Sequence, residues 1–138
     1  MPLANTTDSS MRDSLNRAIE LNRQGKYRAA VKVLLPMLES HPRSAAAYGY
    51  LGGSYFELGE YDQSTECFRK ATRISPKSEL ASLGLFHSLW NQDALSDAFD
   101  EMKRFLSIAD SKEYETLLRD MAVEGRLAPK ARALATAK

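Results

Sequence analysis

Apolar residues recur along this chain at the spacing of an α-helix, in seven successive segments. Between residues 30 and 38 they lie three or four positions apart, which places them on one face of a helix. The same spacing predicts helices around residues 15–21, 46–58, 61–74, 79–91, 94–108 and 111–125. The first ten residues are polar and lack this period, so a flexible tail is expected over residues 1–10. The pattern therefore predicts an all-α domain at 11–125, followed by a basic, alanine-rich tail at 126–138.

The segments themselves repeat every 34 residues. Gly25-Lys26-Tyr27 recurs as Gly59-Glu60-Tyr61, between the two helices of each unit. Other equivalent positions keep their character, as in the small set Ala30, Ser64, Ala98 and the large apolar set Leu34, Phe68, Met102. A fixed period of this length indicates stacked helical hairpins, none of which can bury its apolar face alone. Such a stack usually serves as a binding surface and seldom as a catalytic site.

This pattern resembles the tetratricopeptide repeat (TPR) family. The second unit matches the family pattern almost throughout, at Tyr48, Leu51, Gly52, Tyr55, Gly59, Tyr61, Phe68, Ala71 and Pro76. The first unit matches in its second half, and the third departs at Phe86, Asp93, Phe105 and Asp110. The resemblance implies a right-handed superhelix of three helix-turn-helix repeats at 11–43, 44–77 and 78–110, with a capping helix at 111–125. It also implies a concave face lined by the first helix of each repeat.

The resemblance further implies which residues line the concave groove. Peptide-binding members clamp a C-terminal carboxylate with basic and asparagine side chains, but the matching positions here are Leu15, Ile19, Tyr50, Leu80 and Gly84, which cannot make those contacts. A small, apolar groove is expected instead. Its candidate peptide-binding residues are Leu15, Ile19, Arg23, Gly49, Tyr50, Gly53, Phe56, Leu83, His87 and Trp90.

Two of these residues are glycines inside a predicted helix, where each costs about 1 kcal/mol relative to alanine. One interpretation of Gly49 and Gly53 is that the backbone of a ligand approaches closely there. The other is close packing against a neighbouring helix or against the chain's own tail. The sequence leaves both open.

Composition agrees with a globular domain, since 43% of the 138 residues are hydrophobic and 27% are charged. The single cysteine, Cys67, excludes an intrachain disulfide framework. The first ten residues lack a basic cluster followed by an apolar run, and no apolar stretch approaches the roughly 18 residues that span a bilayer. A cytoplasmic protein without a membrane segment is therefore expected.

Charge is distributed unevenly along the repeats. Residues 11–43 carry seven basic and three acidic side chains, a net charge of +4, whereas residues 78–110 carry two basic and six acidic, a net charge of −4. This gradient favours weak, salt-sensitive self-association, so a homodimer is a possible state. Solvated faces without a partner are the alternative interpretation. Nucleic-acid binding is not expected, because the overall charge is only +1.

No pattern in the sequence indicates catalysis. There is no phosphate loop, no dinucleotide fingerprint and no zinc-ligand spacing, so neither a cofactor nor a metal is expected. Cys67 is interpreted as a packing residue and His87 as a groove or core residue. The predicted function is a non-catalytic adaptor or scaffold that binds a peptide or helix of a partner protein. The alternative is a dimeric chaperone-like protein, similar to bacterial secretion chaperones, that shields an apolar segment of its partner.

Overall fold

A computed structural model of the chain describes the backbone of residues 2–124 and the side chains of residues 9–122. The described residues form seven helices and no strand, which confirms the all-α prediction. The helices are α1 (Pro2–Arg23), α2 (Tyr27–Ser40), α3 (Ala45–Glu57), α4 (Tyr61–Ile74), α5 (Glu79–Asn91), α6 (Leu95–Leu106) and α7 (Lys112–Glu124).

The N-terminus differs from the expectation. α1 begins at Pro2, so most of the segment 1–10 that was expected to be a flexible tail is helical. Once residues 11–23 have formed a helix, each further residue gains one backbone hydrogen bond without a new nucleation step. Proline suits the first helical position, because its missing N–H would have no partner there. The predicted tail at 126–138 lies outside the described residues.

Each hairpin turn contains one residue in the left-handed backbone region. Gly25 and Gly59 have φ values of +77° and +76°, and Asp93 takes the equivalent place in the third hairpin with φ +61°. The residue that follows each of them donates its N–H to a carbonyl five positions back, at 2.8–2.9 Å. Glycine adopts this region without strain, and aspartate is among the few other residues that tolerate it. The 34-residue period of the sequence therefore corresponds to one turn conformation that recurs in each hairpin.

Serine side chains begin the helices that follow each inter-repeat loop. Ser44 Oγ accepts a hydrogen bond from Ala47 N and Ser78 Oγ accepts one from Ala81 N, both at 3.2 Å. Ser111 does the same for Tyr114 N at 3.1 Å. These caps satisfy N–H groups that have no partner inside the helix. The last cap comes 33 rather than 34 residues after the previous one, so α7 starts one residue early in the period.

The second and third repeats meet where a phenylalanine packs on bare backbone. Phe68 of α4 is buried, and its ring lies against Gly52 of α3 and Gly84 of α5. A Cβ atom placed on Gly52 would lie 2.9 Å from the ring, and one on Gly84 only 2.3 Å. Since real Cβ atoms do not approach other heavy atoms so closely, both positions require glycine if the ring stays in place.

Buried hydroxyl groups complete the contacts between repeats. Ser64 stands where the family pattern has alanine, and its Oγ lies 2.8 Å from the carbonyl oxygen of Gly52 and 2.7 Å from Ser88 Oγ. Ser82 Oγ donates to Glu101 Oε2 at 2.7 Å and is 2.7 Å from the hydroxyl of Tyr114, which therefore donates to it. Burial raises the pKa of Tyr114, so the phenol remains protonated and able to donate.

The glycine contacts generate a first prediction, for a pair of matched substitutions. Gly84→Ala places a methyl group against Phe68 and should destabilise the fold by roughly 1–3 kcal/mol. Gly53→Ala meets no described atom within 4 Å and should stabilise α3 by up to about 1 kcal/mol. Urea unfolding of both variants checks the expected opposite signs. Equal effects of the two substitutions would contradict the packing of Phe68 on α5.

The hairpin turns generate a second prediction. Gly59→Ala forces a Cβ-bearing residue into φ +76° and should lower the free energy of unfolding by about 1 kcal/mol. Asp93→Gly removes a Cβ from the same turn position and should leave the free energy of unfolding unchanged or slightly higher. The backbone strain of a Cβ-bearing residue at positive φ is relieved, which offsets the larger conformational entropy that glycine loses on folding. Thermal unfolding of the two variants tests this. A larger loss for Asp93→Gly than for Gly59→Ala would show that the turns are not equivalent.

Candidate functional site

The first helices of the three repeats line one side of the stack. α1 contacts α3 and α3 contacts α5, and these contacts are closer than those between successive second helices. A stack of hairpins curves toward the side on which neighbouring helices lie closer together. The concave face, called the inner face below, is therefore formed by α1, α3 and α5, as the resemblance implies.

The inner face contains an open cavity of about 370 Å³ between α3 and α5, with α4 as its floor. This cavity is called the inner wedge. No described residue that lines it carries a charge. Leu80 at its mouth is 81% exposed and Tyr50 is 39% exposed. The lining residues are Ala45, Ala46, Gly49, Tyr50, Phe68, Ala71, Ser75, Ser78, Leu80 and Ala81.

Two of the predicted groove residues, Gly49 and Tyr50, lie in the inner wedge. Gly53 follows one turn later on α3. A Cβ atom on Gly49 or Gly53 would meet no described atom within 4 Å, whereas one on Gly52 would meet Phe68. Within the described residues, close helix packing therefore accounts for Gly52 and does not account for Gly49 or Gly53. For these two positions, the approach of a ligand and contact with the tail both stay predictions.

Two of the three aromatic residues predicted for the groove, Trp90 and Phe56, contact other rings of the protein itself. Trp90 stacks on Phe86 at a centroid distance of 5.8 Å and meets Phe99 edge-on at 5.7 Å. Phe56 meets Tyr61 of α4 edge-on at 5.3 Å. These rings are half-buried, so only part of each is available to a ligand. They are not among the residues that line the inner wedge.

The remaining predicted residues lie outside the wedge. Leu15 packs against the buried residues of the first repeat, and Ile19 is half-buried beside it on α1. Arg23 is exposed and forms a 2.8 Å ion pair with Glu20 one turn earlier. On α5, Leu83 packs against the core of the third repeat.

His87, the last of the predicted residues, lies edge-on to Phe86 at a centroid distance of 5.4 Å. Partial loss of solvent lowers its pKa, which favours the neutral imidazole. It is not among the residues that line the inner wedge. Of the wedge residues, Gly49 and Tyr50 of α3 were predicted for the groove, whereas Leu80 and Ala81 of α5 were not.

Leu80 lines the wedge but was not among the predicted groove residues. It was predicted only to be unable to bind a carboxylate. Leu80 follows Ala46 by one full period of 34 residues, and Ala46 lies on the same inner face. Extending that equivalence from α3 to α5 is the signal that would have found it.

The described residues offer little reactive chemistry. Cys67 is buried, and burial raises the pKa of its thiol to about 11, so it is almost wholly protonated at neutral pH. No group of three His, Cys, Asp or Glu residues among those described could hold a metal ion. No described helix is both long and apolar enough to cross a membrane.

The family model described as tetratricopeptide repeat matches residues 15–79 of the chain. The chain is 30% identical to Intraflagellar transport protein 70B of Rattus norvegicus over 98 aligned residues. The alignment covers 70% of this chain and 14% of that protein. The chain thus spans a small part of the length of this curated relative.

Two solved structures share the fold. The first TPR of Spaghetti (RPAP3), bound to an HSP90 peptide, is 15% identical, with a TM-score of 0.75 that covers 86% of this chain and 95% of that one. The type III secretion translocator chaperone SycD of Yersinia enterocolitica is 15% identical, with a TM-score of 0.67 over 94% of this chain and 91% of that one. With three stacked hairpins, left-handed turns one period apart and a match to the family model, the chain belongs to the tetratricopeptide repeat family.

Proposed function

We propose that the chain is a non-catalytic adaptor that binds an apolar segment of a partner protein in the inner wedge. The tetratricopeptide fold is a scaffold for protein–protein interaction, which is the general role of the chain. The observation that carries the specific proposal is the uncharged cavity of about 370 Å³ with Leu80 81% exposed at its mouth. An exposed leucine beside a concave apolar surface is typical of an interaction site.

Energetics favour an apolar partner over a charged one. Transfer of an exposed leucine side chain into an apolar contact gains about 1.5–3 kcal/mol. A charged group brought into the uncharged wedge would lose solvent without gaining a charged partner, which is unfavourable. The most favourable ligand therefore places one or two apolar side chains against Leu80 and Tyr50.

One structural neighbour supports peptide binding by a domain of this fold. The first TPR of Spaghetti is bound to the HSP90 peptide SRMEEVD, so a domain of the same fold accommodates a peptide. That peptide is acidic, whereas the inner wedge of this chain has no charged lining residue among those described. We infer that a peptide bound in the inner wedge is recognised by apolar contacts.

The test is the selection and affinity of peptides. A library of random 12-residue peptides is selected on the wild-type chain, and the affinity of the enriched sequences is measured by calorimetry. Apolar peptides should be enriched, and Gly49→Leu, which fills open space in the wedge, should weaken their binding at least about tenfold, the equivalent of 1.4 kcal/mol.

Leu95→Ala is the matched control, because Leu95 is 43% exposed on α6 and does not line the wedge. It should leave the affinity unchanged. Circular dichroism of both variants checks that the helices remain. Equal affinity of Gly49→Leu and the wild type would reject the wedge as the site.

The second candidate function, a dimeric chaperone-like protein, is favoured by the charge gradient along the repeats. The net charges of +4 at residues 11–43 and −4 at residues 78–110 would attract one another in an antiparallel or head-to-tail pair. The SycD structure is described as an alternative dimer, and its likeness to this chain extends to the fold alone. Light scattering at low and high salt distinguishes the two functions, since a dimer held by this gradient should dissociate as salt rises.

A further inference from the structure

A second groove lies on the opposite side of the stack from the inner wedge. It runs between α2 and α4 over the outer surface of α3, and its volume is about 470 Å³. This outer groove is lined by apolar and aromatic side chains that include Leu38, Tyr48 and Tyr55. Leu35 at its edge is 46% exposed. The function proposed above does not use this surface.

The charged residues of the outer groove are predominantly acidic. Glu39 of α2 and Glu66 of α4 are exposed on its two sides. Lys70 is the one cation among the described lining residues, and its Nζ lies over the ring of Tyr48 at 5.5 Å from the centroid. A cation held against an aromatic face already has a favourable partner. The groove therefore offers apolar contact between two carboxylates, which suits a segment that combines small apolar residues with Lys or Arg.

One segment of the chain itself has this chemistry. Residues 126–138 carry four basic side chains and no acidic one, together with two leucines and five alanines. It follows α7, which is described as far as Glu124. We propose that this C-terminal segment binds the outer groove of its own chain, with its leucines against the apolar lining and its basic side chains beside Glu39 and Glu66.

The length of the segment is comparable with its distance from the groove. Tyr114 of α7 packs edge-on against Phe86 of α5 at a centroid distance of 5.7 Å, and α5 packs directly on α4. The far wall of the groove on α2 is then three helix-to-helix steps from α7, each of about 8–10 Å. The ten residues that lead from Glu124 to Leu134 span up to about 33 Å when extended. Contact within one chain and contact with a second copy are distinguished by the test below.

Disulfide trapping in the full-length chain tests the proposal. In a Cys67→Ala background, which removes the single native cysteine, Leu134→Cys is combined either with Leu35→Cys at the outer groove or with Leu80→Cys at the inner wedge. The second pair is a stringent control, because Leu80 is 81% exposed and Leu35 only 46%, so random collision favours Leu80. Cross-linking to position 35 should be at least about fivefold faster and should give a monomer on a non-reducing gel.

Two further measurements test the same contact through its charged residues. Reversal of the acidic pair by Glu39→Lys and Glu66→Lys, or the addition of 0.5 M salt, should slow cross-linking to position 35 severalfold. In the Cys67→Ala chain that carries Leu35→Cys alone, the double change Lys130→Glu and Arg132→Glu should raise the rate at which a maleimide labels position 35, at the edge of the groove. Equal or faster cross-linking to position 80, dimers as the main product, or an unchanged labelling rate would each overturn the proposal.

Discussion

The packing of Phe68 on the backbones of α3 and α5 is the contact on which the rest of the structure depends. The ring occupies space that Cβ atoms on Gly52 and Gly84 would need, and it also lines the inner wedge. One contact therefore joins the second repeat to the third and forms part of the floor of the candidate site. Because Gly84 provides no side chain to cover the ring, the surface between α3 and α5 remains concave. Stability and the shape of the binding surface cannot be altered separately at these positions.

The period of the sequence predicted the hairpin turns, because these depend on local backbone chemistry. Gly25 and Gly59 recur between the two helices of their repeats, and Asp93, which departs from the pattern in residue type, shares their φ region. The caps at Ser44 and Ser78 follow the same period but were not predicted. The site was predicted less completely. A period of 3.6 residues assigns a side chain to a face of a helix but does not say toward which neighbour an aromatic ring turns. Trp90 was predicted as a groove residue, and the helical period gave no sign that its ring stacks on Phe86.

The last helix shows a different limit of the repeat. Ser111 caps α7 only 33 residues after Ser78, so the buried face of α7 comes one position earlier than the period requires. This shift places Tyr114 beneath Ser82, where its hydroxyl joins the hydrogen bonds of Glu101. Arg104 pairs with the same carboxylate at 2.7 Å, so the buried charge is compensated. An alignment in fixed steps of 34 residues does not reveal this network, because it assigns α7 the wrong register.

The inner wedge and the outer groove differ in the charge of their lining, and the two proposals give them different ligands for this reason. The inner wedge has no charged lining residue among those described, so association there depends on apolar contact and should respond little to salt. The outer groove has exposed carboxylates on both sides, so binding of a basic segment there should weaken as salt screens the attraction. If the C-terminal segment covers the outer groove, the exposed surface of Leu35 is reduced while the inner wedge stays open to a partner. A chain built in this way can bind through one face without exposing apolar surface on both.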